Sequence, residues 1–331
     1  MTTVTILGAS GFLGSALTAA LSARPGRLRV VSRRPAAVPA DARADVLVHT
    51  ADLADPAQVA AAVADADVVL NLLKHDGDWR GADRDPDSVR VNVATTKALV
   101  AAVQAGRRPV PPLCLFAGTV SQVGLPPDRP MDGTETDQPV TAYDRQKLEA
   151  ERVLAAASAG GVLRGVSLRL PTVYGQGPAG GAPDVGVVAS MVRRALAGQP
   201  LTIWGEGTVL REFVHVDDVV GAFLAAMDRP DPLAGRHWLI GTGIARTLRD
   251  ALRMVARSVA AHTGEPAVPV VSTPPPAHAT ATDFRSVRIN PIPFRVASGW
   301  SAGILLDEGI RRTVAALSIE HSRQVRKGAL V

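Results

Sequence analysis

The sequence predicts an α/β fold: a doubly wound parallel sheet covered by helices, with a smaller lobe assembled from the C-terminal half. Two observations predict the sheet and a third predicts the lobe. Up to residue 170, short apolar runs alternate with helix-length segments. The runs are apolar throughout rather than at every second position, as strands covered on both faces require. The first run leads directly into Gly8, Gly11 and Gly14, which open a helix. After Pro171 the chain becomes rich in Gly and Pro and the regular alternation stops.

The elements follow in order. Residues 4–7 form the first strand, 8–14 the turn and 15–23 the first helix. Strands are expected at 28–32, 46–50, 67–73, 113–118 and 166–170, and helices at 58–63, 89–105 and 143–157. In the second half, residues 175–186 read as a loop, 187–197 as an amphipathic helix and 201–204 as a short strand. Residues 216–227 read as a helix returning to the sheet, 268–278 as an extended Pro-rich stretch and 304–317 as a final helix. The resulting division is 1–170 plus 212–243 for the sheet domain and 171–211 plus 244–318 for the lobe, with 319–331 as a polar, frayed tail.

Composition narrows the function. The net charge is +5, but no Lys/Arg run with interleaved aromatics appears and aromatics make up only 4%, which argues against a nucleic-acid partner. A mild positive field suits a small anionic ligand equally well. No apolar run reaches 18 residues, so no membrane span is expected. The first strand begins too early for a signal peptide, so a cytoplasmic location is expected. Cys114 is the single cysteine and sits in an apolar strand, where a buried inert thiol is expected. No His/Cys/Asp/Glu cluster has metal-ligand spacing.

Glycines at a strand-to-helix turn allow a tight bend, close approach of a pyrophosphate and close helix–sheet packing. Gly8, Gly11 and Gly14 therefore point to a dinucleotide, against a ligand-free tight turn. An acidic residue at the tip of the second strand would bind a ribose 2′-hydroxyl and select NAD. Here the tip reads Ser32-Arg33-Arg34, which suits the 2′-phosphate of NADP(H). Asp52, after the third strand, is a candidate for the adenine amino group or a helix N-cap.

Tyr143 and Lys147 lie four apart on a helix and so share one face. An ammonium beside a phenol favours the phenolate, so Lys147 is expected to lower the Tyr143 pKa and make it a usable proton donor to a carbonyl receiving hydride.

With Gly8, Gly11, Gly14, Asp52, Asn92, Thr119, Tyr143 and Lys147 in place, the chain resembles the extended short-chain dehydrogenases/reductases, the NAD-dependent epimerase/dehydratase family, that act on nucleotide sugars. Residues 169–175, 211–218 and Gly299-Trp300 are close to that family's signature segments. Residues 71–75 with Trp79, and Asp283-Phe284-Arg285-Ser286, resemble the dTDP-4-keto-6-deoxyhexose 4-ketoreductases of antibiotic sugar pathways.

The resemblance implies a Rossmann-type sheet domain that binds NADP(H), a nucleotide-sugar-binding lobe and a homodimer packed through residues 89–105 and 143–157. It implies Thr119 as the hydroxyl that bonds the reacting oxygen, with Ser121 in reserve, and Asn92 as support for a proton-relay water or merely a helix-start cap. Ser10, Phe12, Leu13, Leu53, Leu72 and Pro171 join the cofactor contacts. Arg211 and Arg285 are candidates for the diphosphate, and Leu201, Thr202 and Trp204 for the base. His75 and Trp79 are candidates for the sugar, against a surface His and a packed Trp, and His215 is read as structural.

Within that family, 4,6-dehydratases place Asp-Glu after the active Thr, where this chain has Val120-Ser121. Epimerases acting beside a ketone need a second acid/base, often Cys, and Cys114 is in a strand core. A 4-epimerase retains NAD, whose acidic selector is missing. Reduction of a C4 ketone by exchangeable NADPH is the expectation that remains. Its rivals are an NAD-retaining 4-epimerase and a non-catalytic dinucleotide sensor.

Overall fold

A computed structural model describes residues 1–277 and 279–328. The chain runs β1 (Thr3–Leu7), α1 (Phe12–Ser22), β2 (Arg27–Ser32), β3 (Asp45–Thr50), α2 (Pro56–Val63) and β4 (Val68–Asn71). It continues through α3 (Pro86–Val89), a π-helical turn (Arg90–Ala94), α4 (Thr95–Gly106), β5 (Leu113–Thr119), α5 (Ala142–Ala159) and β6 (Arg164–Leu170). The second half holds β7 (Thr172–Tyr174), α6 (Val187–Leu196), β8 (Leu201–Trp204), β9 (Leu210–His215), α7 (Val216–Asp228) and β10 (Arg236–Leu239). It ends with β11 (Ala245–Thr247), α8 (Leu248–Thr263), β12 (Val270–Thr273), α9 (Ile292–Ser298) and α10 (Leu306–Gly328).

Among the described residues the main sheet has seven strands, all parallel, in the order β10-β6-β5-β4-β1-β2-β3. The doubly wound expectation is met, and its cause is visible in single strands. Ile6 joins one apolar cluster and Leu7 the other; Val30 and Val31 divide the same way, as do Leu70 and Val69. One cluster packs Leu17, Val219 and Phe223 of α1 and α7, and the other packs Val59, Leu99 and Leu154 of α2, α4 and α5. Strand order reverses at β1, between β4 and β2, and in such sheets ligands bind off the carboxyl ends of the strands at that point.

The second half has its own core. Leu201, Phe213, Leu252, Val255, Ile310 and Val314 pack together from β8, β9, α8 and α10. Within 212–243, β10 returns to the main sheet and pairs with β6, whereas residues 212–215 belong to β9, which pairs with β7 and β11.

Several elements differ from expectation: β7, β9, β10, β11 and α9 lie where no strand or helix was expected, and three further differences bear on the site or the lobe. The helix over 89–105 is broken by the π turn, which widens the ladder at Asn92. A 16-residue helix, α8, lies where no element was expected, capped by Thr247 and closed by Gly264 at φ 79°. The polar tail is not frayed from 319: α10 runs through Gly328, because extending a helix costs far less than starting one. Residues 329–331 of that tail, and residue 278 of the extended stretch, lie outside the described residues.

Candidate active site

The glycine turn is the clearest local constraint. A Cβ on Gly14 would lie 2.1 Å from the Gly8 carbonyl oxygen, and Gly8 itself has φ +92°. The Leu72 backbone passes 3.5 Å from where a Gly8 Cβ would sit. Helix α1 begins at Phe12 with Gly11 as N-cap and no side-chain cap, so the N–H groups of Phe12, Leu13 and Gly14 point out of the turn. This cradle fits the pyrophosphate of a dinucleotide. Ser10 is half-buried beside it.

The β2 tip is more structured than its sequence suggested. Ser32 is buried and its hydroxyl donates to the Arg34 carbonyl at 2.7 Å. Arg33 is exposed and paired with Asp76 at 2.8 Å. Arg34 is exposed and its guanidinium has no partner among the described residues. Asp52 does not cap α2; Asp55 does, accepting from the Ala57 N–H at 2.9 Å. Among the described residues the Asp52 carboxylate accepts from Ala54 N–H alone, and it stays exposed. Leu53 is buried, its carbonyl accepting from the Thr95 hydroxyl at 2.8 Å.

A cavity of about 440 Å³ opens off the carboxyl end of β5, walled by Thr119, Ser121, Tyr143, Asp144, Pro171, Arg211 and Arg285, with Lys74 and Trp79 at one side. His75 and Trp204 lie outside these walls. His75 is turned onto its own loop, where its Nδ1 accepts from Gly77 N–H at 3.2 Å. A larger hollow of about 630 Å³, lined in part by Arg246, Arg257 and Arg311, contains none of the expected site residues.

Tyr143 is the second residue of α5, and no described protein group bonds its hydroxyl. Burial pushes its phenol well above the usual range, and the Asp144 carboxylate adds to this. Burial thus outweighs the lowering expected from Lys147. Lys147 is itself buried; its Nζ donates to the Leu73 carbonyl at 3.2 Å and lies 4.4 Å over the Phe116 ring. Burial pulls the Lys147 amine down to about 7, Lys74 adds to the shift and Glu151 opposes it.

Thr119 ends β5 and caps the one-turn helix that follows, its Oγ1 accepting from Ser121 N–H at 3.3 Å. Its hydroxyl lies 2.9 Å from Ser121 Oγ, which donates to Asp144 Oδ1 at 2.5 Å. Ser121 is therefore a partner of Thr119 rather than its substitute. Asp144 went unnoticed in the sequence, although it directly follows Tyr143; the signal was a carboxylate facing two hydroxyls spaced two apart.

Asn92 is neither a helix cap nor part of the cavity wall. From the π turn its Oδ1 accepts from His75 N–H at 2.9 Å, and its Nδ2 donates to Gln146 Oε1 at 2.7 Å. It braces the loop after β4 against α5.

Both candidate diphosphate arginines are engaged with backbone. Arg211 donates to the carbonyls of Asp283, at 2.6 Å, and Arg285. Arg285 donates to the Gly124 carbonyl. The Asp283 carboxylate pairs with Arg80 at 2.5 Å, closing the cavity's rim across the two halves of the chain. His215 is structural, its Nδ1 capping α7 at Asp217 N–H.

A family model, the NAD dependent epimerase/dehydratase family, matches residues 4–241. Over 326 residues the chain is 29% identical to a dTDP-6-deoxy-L-talose 4-dehydrogenase (NAD(P)(+)) of Kitasatospora kifunensis, covering 95% of each protein. It is 30% identical to a UDP-glucose 4-epimerase of Mycolicibacterium smegmatis, over 93% of this chain and 96% of the relative. Among solved structures, MoeE5 in complex with UDP-glucuronic acid and NAD superposes with a TM-score of 0.76 at 29% identity, over 98% of this chain and all of that one (100%).

Proposed function

The chain belongs to the NAD dependent epimerase/dehydratase family, and from that premise we propose that it reduces the C4 ketone of a dTDP-linked 4-keto-6-deoxyhexose with NADPH. The observation that carries this reading is Tyr143: a phenol kept protonated by burial and by Asp144, with its hydroxyl on the cavity and no protein partner. Such a group stands in its acid form, ready to act as the proton donor, and needs its pKa lowered again in the loaded site to give that proton up.

The bound dinucleotide would supply the hydride; the remaining roles fall to the protein. Gly8, Gly11 and Gly14 would admit the pyrophosphate, and Arg33 and Arg34, exposed just after β2, would hold a 2′-phosphate. Tyr143 gives its proton to the oxygen that becomes the C4 hydroxyl. Lys147, near-neutral as it stands, would gain its proton beside the anionic dinucleotide and then favour release of the phenolic one. Arg211 and Arg285 would exchange backbone carbonyls for diphosphate oxygens. The K. kifunensis relative, named for a redox reaction at C4 of a dTDP-6-deoxyhexose, supports the choice of substrate class.

A second reading, an NAD-retaining nucleotide-sugar 4-epimerase, is favoured by the similarity to the M. smegmatis enzyme over nearly the whole chain. The Arg33–Asp76 pair also leans toward it, because Asp76 partly neutralises the cation that a 2′-phosphate needs.

The reductase reading predicts NADPH oxidation when a dTDP-4-keto-6-deoxyhexose is added. Tyr143→Phe should lower kcat by about 10²- to 10⁴-fold and leave NADPH binding intact by titration. Near-normal turnover in the variant would remove Tyr143 from the mechanism.

A further inference from the structure

The hydroxyls of Thr119 and Ser121 have one proton each, and their geometry fixes where both go. Asp144 is 2% exposed and, as a carboxylate, only accepts hydrogen bonds. Its Oδ1 lies 2.5 Å from Ser121 Oγ, so the Ser121 proton points at Asp144. The 2.9 Å contact between Ser121 Oγ and Thr119 Oγ1 must then carry the Thr119 proton toward Ser121. The Ser121 N–H takes one lone pair of Thr119 at 3.3 Å. What Thr119 has left for the cavity is its other lone pair. The carboxylate cannot swing away to release this order, because its Oδ2 accepts from Thr141 N–H at 3.3 Å in the capping box of α5.

We propose that Asp144 and Ser121 are positioning residues that hold Thr119 as a hydrogen-bond acceptor toward the reacting oxygen, so that the cavity binds the hydroxyl form of its sugar in preference to the ketone form. This rests on the reading of the site as one for a nucleotide sugar. At a C4 hydroxyl, the sugar proton is given to Thr119 while the oxygen accepts from Tyr143. At a C4 ketone there is no proton to give, and two lone pairs meet. Thr119 can donate to the ketone only by breaking its bond to Ser121. A net hydrogen bond of this kind is worth a factor of about five to ten in binding. In a reductase this holds the product more tightly than the substrate.

The test compares one dTDP-6-deoxyhexose in its 4-hydroxy form, bound with NADPH, and its 4-keto form, bound with NADP⁺, so that neither complex turns over. Dissociation constants are measured for wild type, Ser121→Ala, Ser121→Thr and Asp144→Asn, with dTDP alone as a reference. In Ser121→Ala the 4-hydroxy form should lose about five- to tenfold in affinity relative to the 4-keto form, with dTDP unchanged. Ser121→Thr should restore the wild-type ratio. Asp144→Asn, whose amide can donate to Ser121 and reverse the chain, should shift the ratio the same way as Ser121→Ala. An unchanged ratio in both Ser121→Ala and Asp144→Asn overturns the inference. So does a loss shared equally by both sugars and dTDP, which marks a structural role only. If wild type binds dTDP but neither sugar form, the substrate reading fails and this inference falls with it; binding of both sugars with an unchanged ratio sinks the inference alone.

Discussion

At the scale of single residues, the buried amine of Lys147 has a consequence that can be measured without any ligand. In the folded chain it titrates near 7 against an ordinary 10.5. Between those values the unfolded chain holds a proton that the folded chain has released, so stability rises with pH through that window. Below about pH 7 both states are charged and the penalty is fully present; above about 10.5 both are neutral and it has gone. Cofactor-free wild type should therefore gain stability over Lys147→Met from pH 7 to 10.5, by a few kcal/mol at most. Urea melts across that range would show it, and parallel curves for the two proteins would contradict the buried-amine account. The identities of Tyr143, Lys147 and Thr119 were legible as a pattern in the sequence. Their electrostatics were not, because burial dominates and burial belongs to the fold. The same holds for Asn92, whose spacing suggested a cap and whose partners, His75 and Gln146, come from distant segments.

At the scale of elements, the β1–α1 turn was legible because its requirement is steric and local. Gly14→Ala would press a Cβ to 2.1 Å from the Gly8 carbonyl oxygen. The turn must open, at a cost of about 1–3 kcal/mol, and dinucleotide affinity should fall by more than about tenfold, each 1.4 kcal/mol counting tenfold. Gly106→Ala is the control: nothing lies within 4 Å of its Cβ position at the end of α4. That substitution should leave binding unchanged and stabilise by about 0.5–1 kcal/mol. Thermal melts and dinucleotide titration of the two variants separate the claims; equal behaviour would mean that the turn tolerates a side chain.

Other elements were legible but overlooked. Leu248, Ala251, Leu252, Val255, Ala256 and Val259 recur at helical spacing, and Thr247 and Gly264 bound them as α8. The π turn is different in kind. Nothing in residues 90–94 separates it from an α-helix, and its Asn92 bonds to the β4 loop and to α5, contacts that no local pattern announces.

At the scale of the whole molecule, the parallel sheet followed from uninterrupted apolar strands, since each must feed two cores at once. The lobe was harder to read. Its strands β7, β9 and β11 are short and make a three-stranded sheet whose members are far apart in sequence. The cavity exists only where the halves meet: Thr119 and Tyr143 come from the sheet domain, and Arg211 and Arg285 from segments that fold against it. The Arg80–Asp283 pair ties the two sides at the rim. Among the described residues no helix is long and apolar enough to cross a membrane.

The central claim is that this molecule exchanges NADPH at each turnover rather than retaining NAD. The most direct test is to denature freshly purified protein, identify any dinucleotide released, and titrate the cofactor-free protein with NADPH and NADH. The account predicts little retained cofactor and clear preference for NADPH through Arg33 and Arg34. Tightly retained NAD, with no preference for the 2′-phosphate, would contradict it and move the assignment to an epimerase.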